Sequence, residues 1–360
     1  MTTEELKRYN RQIILDDVGL EGQLKLKNAK VLVVGAGGLG SPVLQYLSAA
    51  GIGTIGIIDG DEVSLSNLHR QILFGVDDIG DNKAKAAAKR LALTNPNTKW
   101  NIYPYEFDES NALEVAGEFD LLIDGTDNFK TRYLLNDVSI ISDIPLIYGS
   151  ILKYEGQVAV FNHQDGPSYR CLFPEPPEHM PTCSQIGVIG VLPGIIGSLQ
   201  ANEAIKIILR HRGVLSGKLL MYDLKQNQQQ VISFSKNPDN FNIKKLGDYT
   251  QYESCTLINS LSVDELNENY EAYFLIDIRT DEERTIATLP MSTHIPTEQL
   301  SENISNLPRD KPIVVYCHYG QRSQTVANDL IQKYGFKEVY NLEGGIDEWS
   351  VEIDQTVDRY

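Results

Sequence analysis

The stretch 30–71, KVLVVGAGGLGSPVLQYLSAAGIGTIGIIDGDEVSLSNLHRQ, constrains this chain more than any other. It opens on a continuous apolar, β-branched run at 31–34, the pattern of a strand buried on both faces of a parallel sheet. The run breaks at Gly35-Ala36-Gly37-Gly38-Leu39-Gly40, and Leu44, Leu47 and Ala50 then recur at helical spacing up to Gly51. A strand that feeds a glycine-rich turn and a helix N-terminus makes an anion site. Backbone can approach a phosphate closely there, and free N–H groups with the helix dipole favour its charge. A second strand, 54–58, ends in Asp59, where a carboxylate can accept from ribose hydroxyls. Gly35, Gly37, Gly38, Gly40 and Asp59 are therefore expected to bind a nucleotide. Any Rossmann unit shares these features; the loop that follows is more particular.

That loop, 59–71, carries Asp59, Asp61, Asn67, Arg70 and Gln71 at the carboxyl end of a parallel strand, where open α/β sheets place their ligands. It holds more polar groups than a connector needs. Lys83 heads an alanine-rich helix at 83–93, and a cation at a helix N-terminus is unfavourable unless an anion lies beside it. A phosphate partner resolves that mismatch. Strand-like runs at 100–105, 121–123 and 145–148 alternate with helical ones at 109–117 and 128–141, which predicts a Rossmann-like, doubly wound α/β sheet. The strand at 121–123 runs into Asp124-Gly-Thr-Asp127-Asn128, again at the carboxyl edge. Asp127 is expected to face the same crevice as Asp59 and to hold Mg²⁺, which takes one or two carboxylates plus phosphate oxygens. An N-cap role for Thr126, Asp127 or Asn128 is compatible with this.

At 152–162 the period changes to two, so an antiparallel region follows the parallel one. Prolines crowd 174–181 and mark a loop that carries Cys171 before them and Cys183 after. A helix is expected at 195–209, strands at 218–222 and 229–234, and a linker over 236–258. The acid is uneven: from Ser260 onward there are 8 Lys/Arg against 19 Asp/Glu, out of 32 and 49 in the whole chain. That step supports two domains, 1–235 and 259–360. The net charge of −17 argues against a nucleic-acid surface. No apolar run approaches a membrane span, and the polar first residues lack a signal-like core. Four cysteines in 360 residues make no disulfide framework, so the cytoplasm is the expected compartment and reactive thiols are open to the chain.

The last part restarts the pattern as a small α/β domain. A strand at 273–278 carries Asp277 and leads to Arg279; another at 313–316 delivers Cys317 into His318-Tyr319-Gly320-Gln321-Arg322-Ser323. A helix is expected at 325–334. A cysteine between a buried strand and a helix N-terminus, beside an arginine, has its thiolate stabilised by N–H groups and positive charge. A free cysteine is more often a small buried hydrophobe, but Gly320, Arg322 and Ser323 are odd neighbours for one.

The segments GAGGLGS, DGDEVSLSNLHRQ, Lys83, DGTDN and RYNRQIIL together resemble the ThiF–MoeB–HesA adenylyltransferases, the bacterial relatives of ubiquitin-activating enzymes. RCLFPEPP and GVIGVLPGIIGSLQANEAIK are similar to the same family. LIDIRTDEE, CHYGQRS and NLEGGIDEW resemble a rhodanese domain, so the whole chain is similar to the fused adenylyltransferase–sulfurtransferases of the MoeZ and MOCS-type group. The resemblance implies that the glycine turn binds ATP, Asp59 its ribose, and Arg70 and Lys83 its phosphates. Asp61, Asn67, Gln71 and Asn128 would line the site, and Asp127 would hold Mg²⁺. Arg11, which on its pattern alone sits on a solvated amphipathic helix, would reach across a two-fold interface into a partner's site, implying a homodimer. The substrate implied is the C-terminal Gly-Gly carboxylate of a small ubiquitin-like sulfur-carrier protein, of the molybdopterin or thiamine type. Its adenylate would then take sulfur from a Cys317 persulfide held by the loop 317–323 and charged by a donor such as a cysteine desulfurase.

Three departures bear on this. The family commonly binds zinc through two CxxC pairs; here the first reads Ser168-Tyr-Arg-Cys171 and the second, near 236–243, has no cysteine, so no structural zinc is expected. Cys183 stands where some relatives form a thioester or acyl disulfide, and no cation flanks it in sequence, so its catalytic role is left open. Ala287 to His294 replaces the Gly-His that rhodaneses show before the second strand. Two other readings compete. A nucleotide-dependent oxidoreductase with an appended thiol domain must contend with the charged SNLHRQ loop, and a non-catalytic scaffold with the presence of Asp59, Arg70, Lys83, Asp127 and Cys317.

Overall fold

The computed structural model describes residues 1–175, 187–249, 252 and 259–360. The chain divides into two compact units, Met1–Ser254 and Cys255–Tyr360. In the first, the strands are β1 (Lys30–Val34), β2 (Thr54–Ile58), β3 (Lys99–Tyr103), β4 (Leu121–Asp124), β5 (Leu146–Leu152), β6 (Glu155–Phe161), β7 (Lys218–Asp223) and β8 (Gln228–Ser233). Among the described residues they form one sheet in the order β3-β2-β1-β4-β5-β6-β7-β8. Pairing is parallel from β3 through β5 and antiparallel from β5 through β8. The strand order reverses between β1 and β4, and the carboxyl ends of these two strands open the crevice where such sheets bind ligands.

Alternation along the strands assigns each residue to a face. Val31, Val33, Ile55 and Ile57 pack under the helices Gly40–Ala50 and Lys83–Thr94, while Leu32, Val34, Ile58 and Leu122 pack against Ala112–Ala116 and Phe129–Ser142. Each fully buried Val, Leu or Ile contributes about 1.5–3 kcal/mol, so the central strands are anchored on both sides. Before the sheet come two helices, Thr3–Ile13 and Gly19–Asn28, the first closed by a Thr2/Glu5 capping box.

Two expectations need correction. The helix placed at 195–209 starts a turn earlier, at Val191; Pro193 falls within its first turn, where a missing N–H costs nothing. The segment read as a linker from residue 236 packs onto the first unit instead, as far as it is described. Tyr249 is buried and donates to Asp137 Oδ2 at 2.7 Å, and the Tyr252 ring stacks on Tyr133 with centroids 4.3 Å apart. Aromatic burial outweighs the polar composition that suggested a free tether.

The second unit is built on β9 (Asn259–Leu261), β10 (Phe274–Asp277), β11 (Thr293–His294), β12 (Ile313–Tyr316) and β13 (Val339–Leu342). All pair in parallel, in the order β11-β10-β12-β13-β9. The fully buried β12 is central, and its carboxyl end carries Cys317.

Candidate active sites

At the head of β1 the backbone comes into contact with itself. Gly35 has φ 91°, and a Cβ on Gly125, just past β4, would lie 2.6 Å from the Gly35 carbonyl oxygen. Side chains are excluded here by neighbouring backbone, which leaves room for a ligand's phosphates only beyond the turn. Asp59, at the end of β2, accepts from the Ala36 N–H at 2.7 Å and from the Asp61 N–H at 2.9 Å. Burial pushes its carboxyl up while the Ala36 N–H opposes the shift.

A cavity of about 300 Å³ opens above this turn. Gly35, Gly37, Gly38, Asp59, Asp61, Arg70, Gln71, Lys83, Asp127 and Asn128 all line it. Gly40 and Asn67 do not. Gly40 lies beneath the turn, and the Asn67 carbonyl accepts from the Arg70 and Gln71 N–H groups, shaping the loop from within. Arg11 is exposed in the last turn of its helix and does not line the cavity of its own chain. Cys183 lies outside the described residues.

Lys83 is buried, with its Nζ 2.6 Å from Asp61 Oδ2. The Arg70 guanidinium rests against His69 Nε2 at 2.8 Å and the Ser66 carbonyl at 3.2 Å. Asn128 caps the helix Phe129–Ser142, its Oδ1 accepting from the Thr131 N–H at 2.8 Å, which leaves Asp127 exposed on the cavity wall. Asn128 thus caps the helix from the cavity wall that it shares with Asp127. Asp127, lining the same cavity as Arg70 and Lys83, offers the single carboxylate that an Mg²⁺ shared with phosphate oxygens would take. Among the described residues, no group of three or more His, Cys, Asp or Glu could hold a metal ion by itself. Cys171 Sγ accepts instead from the Ser168 N–H at 3.4 Å and the Asn237 N–H at 3.2 Å.

Sequence reasoning passed over three residues. Arg132 lines the cavity from below, ion-paired with buried Asp124 at 3.3 Å and donating to the Thr126 carbonyl at 3.1 Å. Its position one turn after the Asn128 cap could have placed it on the same helix face. Glu106 lines the cavity beyond β3, its carboxyl pushed up by burial and by Asp61 and Asp59. The carboxyl-edge rule, applied to β3, would have found it. Gln200 donates to the Asp124 carbonyl at 2.7 Å, and nothing in its apolar helix announced that.

In the second unit Cys317 is 1% exposed, and its Sγ accepts from the Ser323 N–H at 3.4 Å and the Ser323 hydroxyl at 3.3 Å. The helix Gln321–Gln332 begins at that loop after Gly320, whose φ of 80° closes the turn. His318 and Tyr319 stack with ring centroids 4.0 Å apart. Asp277 and Arg279 form a fully buried bidentate pair, with nitrogen to oxygen distances of 2.9 and 2.7 Å, below the same edge. His294 Nε2 lies 2.8 Å from the Arg279 carbonyl oxygen, so the departing segment still brings its histidine to this edge. A strand-end thiol that accepts from the N–H and hydroxyl of Ser323 at a helix start can hold a sulfur anion.

Residues 9–243 match the ThiF family and residues 262–352 the rhodanese-like domain. The chain is 37% identical to the probable adenylyltransferase/sulfurtransferase MoeZ of Mycobacterium tuberculosis, over 100% of this chain and 96% of that one. It is 36% identical to the adenylyltransferase and sulfurtransferase MOCS3 of Xenopus laevis, over 100% of this chain and 89% of that one. The sulfur carrier protein adenylyltransferase of Thermus thermophilus is 49% identical over 66% of this chain and 90% of its own. Among solved structures, E. coli MccB with ATP superposes with a TM-score of 0.56 at 24% identity, covering 64% of this chain and 72% of that one. At that identity the likeness speaks for the fold alone. A glycine-lined crevice in one unit and a strand-end cysteine in the other go with sequence likeness along the full length: the chain belongs to the ThiF family, in the branch where the adenylyltransferase is fused to a rhodanese-like sulfurtransferase domain.

Proposed function

We propose that this chain activates the C-terminal carboxylate of a small ubiquitin-like sulfur-carrier protein with ATP and then converts it to a thiocarboxylate. The observation that carries this is one chain holding both a cavity walled by Arg70, Lys83 and Asp127 and a buried thiol at a strand–helix junction. In the first step a carboxylate oxygen attacks the α-phosphorus of ATP and pyrophosphate leaves, giving the acyl-adenylate. Two anions must meet, so fixed cations lower the barrier most where charge builds up. Lys83 exchanges Asp61 for phosphate oxygens, Arg70 swings from His69 to the same anion, and the turn after β1 offers its N–H groups. Mg²⁺ held at Asp127 would neutralise further phosphate charge. In the second step the terminal sulfur of a Cys317 persulfide attacks the acyl carbon and AMP leaves. A thiol then attacks the resulting acyl disulfide at the Cys317 sulfur; the S–S bond breaks, the thiocarboxylate leaves, and a second thiol reduces the mixed disulfide to restore Cys317.

Arg11 completes the first site from a second copy in this reading. The exposed Tyr46, Ile72 and Val191 supply apolar surface for such a dimer. Sulfur reaches Cys317 from a donor such as a cysteine desulfurase, and the reaction takes place in the cytoplasm. No structural zinc enters this reading, because Ser168 stands where the first thiol of the pair with Cys171 would be and 236–243 holds no cysteine. The test is to incubate the chain with ATP and candidate carrier proteins and weigh the carrier. Gain of an adenylate, or of sulfur in place of oxygen, supports the proposal; an unmodified carrier with every candidate and no pyrophosphate release refutes it.

A further inference from the structure

We propose that Glu283 sets which sulfur donors Cys317 accepts: by neutralising Arg322 it disfavours small dianionic donors such as thiosulfate relative to singly charged or protein-bound persulfides. The inference rests on the sulfurtransferase reading above. Arg322 belongs to the loop after Cys317 and lies near enough to feel the thiolate's charge. Its guanidinium would be the natural anchor for an anionic donor. Both of its terminal nitrogens donate to a single carboxylate, which balances its charge. Nη1 donates to Glu283 Oε2 at 2.8 Å, and Nη2 donates to Glu283 Oε1.

Glu283 is in turn held for this task. It accepts from the Thr280 N–H at 3.1 Å and from the Tyr360 hydroxyl at 3.3 Å. Arg322 holds its carboxyl down at about 2, so it stays charged at any working pH. Other cations around the loop are matched in the same way: Arg279 and Arg284 by Asp277, and Arg359 by Asp347. Burial lowers the His318 pKa and so disfavours a positive charge there. With 8 Lys/Arg against 19 Asp/Glu from Ser260 onward, the field around the loop repels a dianion.

Thiosulfate supplies its outer sulfur by thiolate attack: the Cys317 thiolate bonds to that sulfur, the S–S bond breaks, and sulfite leaves with the electron pair. Cyanide then removes the sulfur as thiocyanate and restores the thiolate. Methanethiosulfonate follows the same route with one negative charge and releases methanesulfinate. Glu283→Gln in the full-length protein should lower the KM for thiosulfate about tenfold and that for methanethiosulfonate about threefold, since the energy scales with donor charge. kcat should stay within about twofold, and Glu283→Asp should keep the wild-type KM values. Equal shifts for the two donors, or a lost kcat with no fall in KM, would overturn the proposal. A wild-type measurement stands beside it should Glu283→Gln not fold: added salt should lower the KM for thiosulfate by screening the repulsion, and a rise would overturn it too. Failure of the underlying reading looks different, because Cys317→Ala would then turn over both donors as fast as the wild type.

Discussion

Gly40→Ala sets two known effects against each other in one position. In an open helix the change would stabilise by about 1 kcal/mol, because alanine loses less backbone freedom than glycine. Here the new Cβ would sit 2.0 Å from the Gly35 carbonyl oxygen, 1.4 Å inside the 3.4 Å at which ordinary contact begins. The obstacle is backbone, and it is tied down: the Gly35 N–H donates to the Ile58 carbonyl at 2.9 Å, and Gly125 packs against the other side. Overpacking of this kind costs about 1–3 kcal/mol, so the clash wins over propensity. With the Cβ this deep against fixed backbone the cost falls at the upper end of that range, and the net loss of about 2 kcal/mol should lower the melting temperature by about 4–8 °C in a unit of this size. The larger effect should be on activity. Opening the turn by about 1 Å misplaces the N–H groups that face the phosphates, and carrier-dependent ATP–pyrophosphate exchange should fall about 10²-fold. Thiosulfate turnover at Cys317 should be retained as an internal control. Gly37→Ala meets only Gln71 Nε2, at 3.6 Å, and should keep the wild-type melting temperature. A Gly40→Ala protein with normal exchange and a raised melting temperature would refute the reasoning.

Arg132→Gln leaves Asp124 buried without its cation and should cost about 3–5 kcal/mol in urea unfolding, with Asp124→Asn in the same chain recovering much of it. Mixing Arg11→Ala with Lys83→Ala in equal amounts, each inactive alone, should restore about a quarter of wild-type exchange, because about half of the dimers are mixed and each mixed dimer carries one intact site of its two; no recovery at any mixing ratio would remove Arg11 from the partner's site. The Glu283 carboxyl lies at about 2 when folded, below its ordinary 4.5, so the unfolded chain binds that proton more readily. Its pair with Arg322 therefore stabilises fully above about pH 4.5 and fades as the pH falls toward 2, a loss of about 1–2 kcal/mol that Glu283→Gln should abolish in unfolding curves followed by Trp349 fluorescence.

What could be read from the sequence, and what could not, divides along the range of the interactions involved. The glycine turn and Asp59 were legible because a strand, a tight turn and a helix start leave a local signature, and the alternation of strands with helices marked a doubly wound sheet. Lys83 was legible through a mismatch: a buried cation at a helix start needs an anion, and the structure gives it Asp61 at 2.6 Å. Arg132 and Asp124 lie eight positions apart in the chain, and each looks ordinary there, one as a helix-surface arginine and the other as a turn former. Only β4 ending beside the next helix's first turn shows that they are a buried pair under the cavity floor. Tyr249 and Tyr252 misled for the same reason, since their partners Asp137 and Tyr133 are more than a hundred residues away. Glu283 combines both cases. Its capping box with Thr280 is local and could be read from Thr-Asp-Glu-Glu, but its grip on Arg322 depends on β10 and β12 pairing in parallel, so that the loops after them meet at one edge. Local chemistry thus fixes where a charged group starts, and sheet topology decides which charge it meets. For this reason the donor preference of Cys317 should follow from a residue outside its own loop.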